Sequence, residues 1–140
     1  MLRLYTSYWK NEALALPPHD KALKLGISRG GPRRRMPYKY LMLREEPFAP
    51  SRRLLTWWRR PGVRTSEDAE VYEREYLCQL EDAGVEGISA QLERKVASGK
   101  LANDTVILLC HEEPGEFCHR RLFARWWRER TGQEIPELDR

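Results

Sequence analysis

Six residues able to do chemistry crowd into one short stretch of the chain: Cys110, His111, Glu112, Cys118, His119 and Arg120. A carboxylate or an imidazole can carry a proton, a cysteine thiolate can attack an electrophile, and a guanidinium grips phosphate or carboxylate as a fork. If Cys118 and His119 open a helix beside Arg120, the free amides and the positive dipole end favour the thiolate. The candidate roles are then Cys118 as nucleophile and Glu112 or His119 as general acid or base. The plainer alternative, a satisfied core histidine beside a buried thiol, stays open. Zinc is not expected here. Zinc knuckles close their first ligand pair over about two to four residues, whereas seven separate Cys110 from Cys118. Neighbouring Cys110 and His111 would also point to opposite faces of a strand.

Those residues need a strand, a turn and a helix to hold them. Val106 to Cys110 is an unbroken apolar run rich in branched residues, the pattern of a strand buried on both faces in a parallel sheet. Pro114 and Gly115 break the chain. From Phe117 the pattern turns helical, with Leu122, Phe123, Trp126 and Trp127 on one arc and Arg121, Arg125 and Arg128 on the other. At 100° per residue His119 falls inside the apolar arc and Cys118 at its edge. The crevice beyond the carboxyl ends of parallel strands, next to helix amino termini, is where α/β sheets collect ligands.

The run L-L-C-H-E-E-P-G-E-F-C-H-R-R-L-F-A, with I-S-R-G-G-P at Ile27 to Pro32 and the opening L-Y-T-S-Y-W, resembles the domain-of-unknown-function 488 family. The resemblance covers nearly the whole chain and is weakest from Pro47 to Gly62. It implies a small α/β domain with a C-x-E…C-H-R signature, matched here by Cys110, Glu112, Cys118, His119 and Arg120. Ser28, Arg29 and Pro32 match the internal motif. What the resemblance implies is a fold and a set of positions rather than a reaction.

Elsewhere the pattern predicts strands near residues 2–8, 23–28, 38–43 and 105–110, and helices over 66–83, 88–98 and 117–130. Thr65 or Ser66 caps the first of these helices, and Glu67, Asp68 and Glu70 suit its positive end. Gly84 suits its close. Pro47 to Gly62 reads as an irregular loop that tucks Trp57 and Trp58 onto the core, although arginines interleaved with tryptophans also suit bases and phosphates. The tail from Gln133 to Leu138 could add a short edge strand. Together these give one α/β domain over residues 1–140: three-layer and Rossmann-like, with a small, mostly parallel sheet of about four strands flanked by helices.

At 140 residues, 41% apolar and 33% charged, the chain has the composition of a globular protein. No apolar run approaches the ~18 residues of a membrane span, and the opening M-L-R-L-Y-T lacks the core of a signal peptide, so a cytoplasmic protein with no membrane partner is expected. Three cysteines without an export signal argue for free thiols. The charge is uneven: residues 1–64 hold 15 Lys and Arg against 4 Asp and Glu, and residues 65–116 hold 4 against 13. Either the two segments neutralise each other, or the basic half faces a polyanion.

If the strand ends converge, Ser7, Ser28, Arg29, Cys110 and Arg120 would bind a ligand over Cys118, His119 and Glu112. The reading that follows is a small enzyme acting on a phosphate-bearing ligand, a nucleotide or nucleic acid. A second reading is a non-catalytic nucleic-acid-binding module using the Arg/Trp-rich segment 33–60. A third is a structural protein whose Cys-His-Arg turn is packing alone. No particular cofactor or oligomeric state is implied.

Overall fold

The computed structural model describes residues 2–62, 64–99 and 104–139. Four strands, β1 (Arg3–Tyr8), β2 (Leu23–Gly26), β3 (Leu41–Met42) and β4 (Thr105–Cys110), form one sheet in the order β1-β4-β2-β3. Every pairing is parallel, with Leu4 opposite Val106 and Leu25 opposite Leu108. The fold is thus a small Rossmann-like α/β domain. Val106 to Cys110 lies inside the sheet with all five residues fully buried, which is why that stretch is apolar without alternation.

Three helices, α1 (Arg52–Trp58), α2 (Ser66–Ser98) and α3 (His119–Thr131), pack over one core. Leu4, Leu25, Ile27, Val106 and Leu108 meet Tyr76, Leu80, Ile88 and Leu92 of α2 and Phe123 and Trp127 of α3. The opposite face of the sheet, with Ile107 and Leu109, is covered by Trp9, Leu14 of a 3-10 turn (Glu12–Ala15), and parts of Met36, Tyr38 and Met42. Gly26 permits this cover, because a Cβ there would lie 2.5 Å from Met42 Sδ and 2.6 Å from Trp9 Cζ2.

Several expected boundaries move. The second strand ends at Gly26 rather than residue 28, and the third shrinks to Leu41–Met42, since proline and glycine between them favour loop. The segment expected to be irregular contains α1, capped by Ser51, whose hydroxyl accepts from the Leu54 amide at 3.1 Å. The two middle helices run as one element broken at Gly84, where φ 72° is open to glycine. Thr65 caps it in a reciprocal box with Asp68. The tail contributes a single parallel bridge, Thr6 to Glu137, along the outer edge of β1.

Candidate functional site

Neighbouring strands β4 and β2 send the chain after them in opposite directions. After β4 it turns into α3 on the helical face and ends beside β1, while after β2 it crosses the other face to β3. Such a divergence opens a crevice at the carboxyl ends. A cavity of about 970 Å³ lies there, walled by the turn Gly30 to Arg34 after β2, by His111 and Glu112 after β4, by Phe117, and by Leu55 and Trp58 of α1 with its capping residue Arg59. Thr65 and Ser66 at the start of α2 close one side. Beneath it a pit of about 50 Å³ is lined by Ser28, Arg29, Tyr72, Glu112, Cys118 and His119, among others. Glu112, Phe117, Trp58, Arg59 and His111 belong to both.

Five of the residues expected at the site therefore share one pit, and the other three do not line it. Ser7 is fully buried on β1, where its hydroxyl donates to the Leu138 carbonyl and accepts from Asn11 at 3.0 Å. It faces the tail. Cys110 and Arg120 sit behind the pit. Within the pit, the Arg29 side chain is turned aside, its Nε donating to the Pro50 carbonyl at 2.7 Å and its Nη1 lying 3.5 Å from Glu45. Ser28 donates to the Gly30 carbonyl at 2.7 Å, which shapes the turn after β2.

Arg120 is 1% exposed, and its guanidinium is fully engaged. Nε and Nη2 reach both oxygens of Glu137, at 3.1 and 2.7 Å, as a two-pronged pair. Nη1 donates to the Glu112 carbonyl at 2.6 Å and lies 3.2 and 3.3 Å from the sulfurs of Cys110 and Cys118. Burial pushes the Glu137 carboxyl up, but hydrogen bonds from Arg120 and Thr6, with the charges of Arg120 and Arg121, outweigh it and hold it below the usual range. Arg120 thus ties the tail, the end of β4 and the start of α3 together.

The expectation of free thiols is corrected at two positions. Cys110 and Cys118 are joined as a disulfide across a Cα separation of 7.8 Å, beyond the roughly 4.4–6.8 Å of ordinary bridges. Strand end and helix cap meet because Pro114 and Gly115, the latter at φ 88°, fold the connection back. Cys78 alone is free, and it is exposed. Cys118 is the cap of α3, its sulfur 3.5 Å from the Arg120 amide, and Glu112 Oε2 stands 3.4 and 3.6 Å from the two sulfurs. In the joined state neither sulfur is a nucleophile.

His119 is buried, and its Nε2 lies 2.7 Å from the Ile27 carbonyl, so that nitrogen donates and the neutral ring keeps only Nδ1 as an acceptor. Loss of hydration lowers its pKa to about 4; the bond to Ile27 opposes this, and the charges of Arg120 and His111 add to it. A ligand atom from each of Cys110, Cys118 and His119 lies within 4.8 Å of the others. Reduced, these atoms offer three ligands to a thiophilic ion, with the Arg120 cation against both sulfurs opposing it; joined, the sulfurs offer none. His111, the other histidine of the motif, is exposed and points to the Gly30 carbonyl at 3.0 Å.

Sequence reasoning tucked Trp58 onto the core and gave neither Tyr72 nor Phe117 a place at the site. Trp58 packs against Tyr72 and Phe117, with ring centroids 5.0 and 5.2 Å away, and also walls the crevice. Burial raises the Tyr72 hydroxyl far above its usual pKa; the Glu112 charge adds to this and Arg59 opposes it. The signal for Trp58 was the Arg/Trp interleaving. Tyr72 carried none, because it fits the apolar stripe of its helix.

Among the described residues, the acidic α2 is met by α3 rather than by the basic amino-terminal half: Arg125 pairs with Glu73 at 3.0 Å, and Arg130 with Glu81. Arg3 to Asp104 is, among the described residues, the one ion pair within 4.0 Å that joins the basic and acidic segments. Arg33, Arg34, Arg59 and Arg64 at the crevice have no carboxylate within 4.0 Å among the described residues. No helix among them is long and apolar enough to cross a membrane.

A family model described as DUF488-N3a, the active DUF488-N3 subclade, matches residues 12–131. No curated protein and no solved structure gives a significant match.

Proposed function

The chain belongs to the DUF488 family, and we propose that it is an enzyme acting on a phosphate-bearing ligand, a nucleotide or nucleic acid, in the crevice beyond β2 and β4. One observation carries this: a carboxylate, Glu112, lines both the pit and a cavity of about 970 Å³ whose rim holds Arg33, Arg34, Arg59 and Arg64, none with a carboxylate within 4.0 Å among the described residues. Lys10, Arg33, Arg34, Arg59 and Arg64 take the phosphates, and Trp58 and Phe117 offer ring faces to a base. Glu112 is the general acid or base. Once a dithiol reductant has opened the disulfide by thiol exchange, leaving two thiols here and itself oxidised to a disulfide, Cys118 becomes the nucleophile, with the Arg120 amide and Nη1 favouring its thiolate. His119, held neutral, positions the start of α3 through Ile27 and does not carry the proton. The subclade's description as active is in keeping with this reading.

The runner-up, a binding module on segment 33–60, is favoured by the presence of Arg33, Arg34, Trp58 and Arg59 in the same cavity. Turnover separates the two. With ATP, GTP and a short oligonucleotide as substrates, Glu112→Gln should retain binding, read by tryptophan quenching, and lose at least about a hundredfold in rate. Binding with no turnover by the reduced wild-type protein would leave the module; binding insensitive to Arg59→Ala with Arg64→Ala would remove the site altogether.

A further inference from the structure

The crevice does not end at its own walls. On one side it runs into a hollow of about 430 Å³, with which it shares Trp9, Lys10, Arg34 and Met36 and which adds Arg35. On the other it runs into a hollow of about 410 Å³, sharing Gly30, Leu55 and Arg59 and adding Arg44 and Arg52. Helix α1 and its C-terminal capping residue supply that second wall as one stripe, Arg52, Leu55 and Thr56 from the helix and Arg59 from the cap, the spacing that puts side chains on a single face. We propose that this continuous track holds a single strand of nucleic acid, DNA or RNA, laid across the crevice with one nucleotide over Glu112. The proposal rests on the reading of the crevice as a phosphate site and adds that its ligand is a polymer.

Three observations converge on a strand. The central cavity alone is already at the top of the roughly 300–1,000 Å³ in which small ligands are held, and it opens at both ends instead of closing around one molecule. The cations are spaced along its length: Arg35, Arg34 and Lys10 at one end, Arg59, Arg52 and Arg44 at the other. None of these has a carboxylate within 4.0 Å among the described residues. Glu116, Glu12 and Glu45 also line the crevice and its two hollows, but none lies within 4.0 Å of these six cations, which face solvent as a row that can bind a polyanion by releasing its counterions. Finally, ring faces are concentrated at the middle, where half-buried Trp58 and Phe117, 39% exposed, stand together. Stacking on such rings requires a base free of a pairing partner, which selects a single strand over a duplex.

The test is fluorescence anisotropy with labelled oligo-dT and oligo-U of 4, 8 and 12 nucleotides. A 12-base-pair duplex, inorganic polyphosphate and ADP serve as competitors. Affinity should rise at least tenfold from the 4-mer to the 12-mer, for DNA, RNA or both. The logarithm of affinity should fall with the logarithm of salt with a slope of about −3, as for roughly four phosphates on a single strand. Arg35→Ala with Arg52→Ala, at the two ends, should flatten that slope by about 1.4 and lower the 12-mer affinity relative to that for ADP. Circular dichroism confirms that these surface variants fold. Equal affinity for ADP and the 12-mer would overturn the track and leave the crevice reading standing. So would a duplex or polyphosphate that competes as well as the single strand. Absence of binding by every phosphate compound would overturn both.

Discussion

His119 makes the acid stability of this protein a direct readout of its buried site. The imidazole is enclosed beneath Tyr76, whose ring centroid is 5.4 Å away, and Arg120 and His111 both oppose its protonation. Its pKa falls from 6.5 to about 4, so between those values the unfolded chain binds a proton that the folded one refuses. The stability this preserves is complete above about pH 6.5 and is lost as pH falls toward 4. At about 1.4 kcal/mol per pH unit the loss amounts to about 3 kcal/mol. Glu137, held below the usual carboxylate range, adds a loss of its own at the acid end, so the quantity to measure is a difference. His119→Gln keeps a donor for the Ile27 carbonyl and cannot titrate. Urea midpoints at pH 7, 6, 5 and 4.5 should show the wild type losing its advantage over the variant as pH drops, by about 3 kcal/mol at the acid limit. A gap that stays constant across this range would mean that the imidazole is not held neutral, and the account of the pit's interior would be wrong.

Two further outcomes follow from the neighbouring contacts. Arg120→Met removes the partner of Glu137 and should destabilise the fold by about 3 kcal/mol or more in urea titrations. Adding Glu137→Leu should recover part of this, because the unpaired carboxylate causes much of the loss. Recovery of nothing would mean that the contacts to Glu112 and the sulfurs matter more than the ion pair. In mass-spectrometric thiol counting with iodoacetamide, the native oxidised protein should label at Cys78 alone, and after reductant and unfolding at three positions. Label on Cys118 without reductant would remove the bridge.

The sequence by itself determined the elements and the neighbourhood of the site. Val106 to Cys110 read as an interior strand, because five successive apolar residues, rich in branched side chains and bounded by polar ones, have no polar face to show to water. The arc of α3 placed His119 inward from spacing alone, and the caps at Thr65 and Gly84 followed from the short polar side chain and the left-handed backbone that those positions require. Helix α1 was not legible, since prolines at its borders and two adjacent tryptophans mask a stripe of only seven residues. What only the tertiary structure decided is which polar groups meet. Ser7 and Ser28 both lie at or just beyond strand ends, yet one is claimed by the tail and the other by the crevice, because the tail lies along β1 and not along β2. The joining of Cys110 to Cys118, the commitment of Arg120 to Glu137, and the pairing of α2 with α3 are contacts between side chains brought together by the backbone's path. With α2 met by α3, Arg33, Arg34, Arg52 and Arg59 have no carboxylate within 4.0 Å among the described residues. Local pattern sets which face of an element is apolar; only packing sets which charged group finds a partner and which is left facing the solvent.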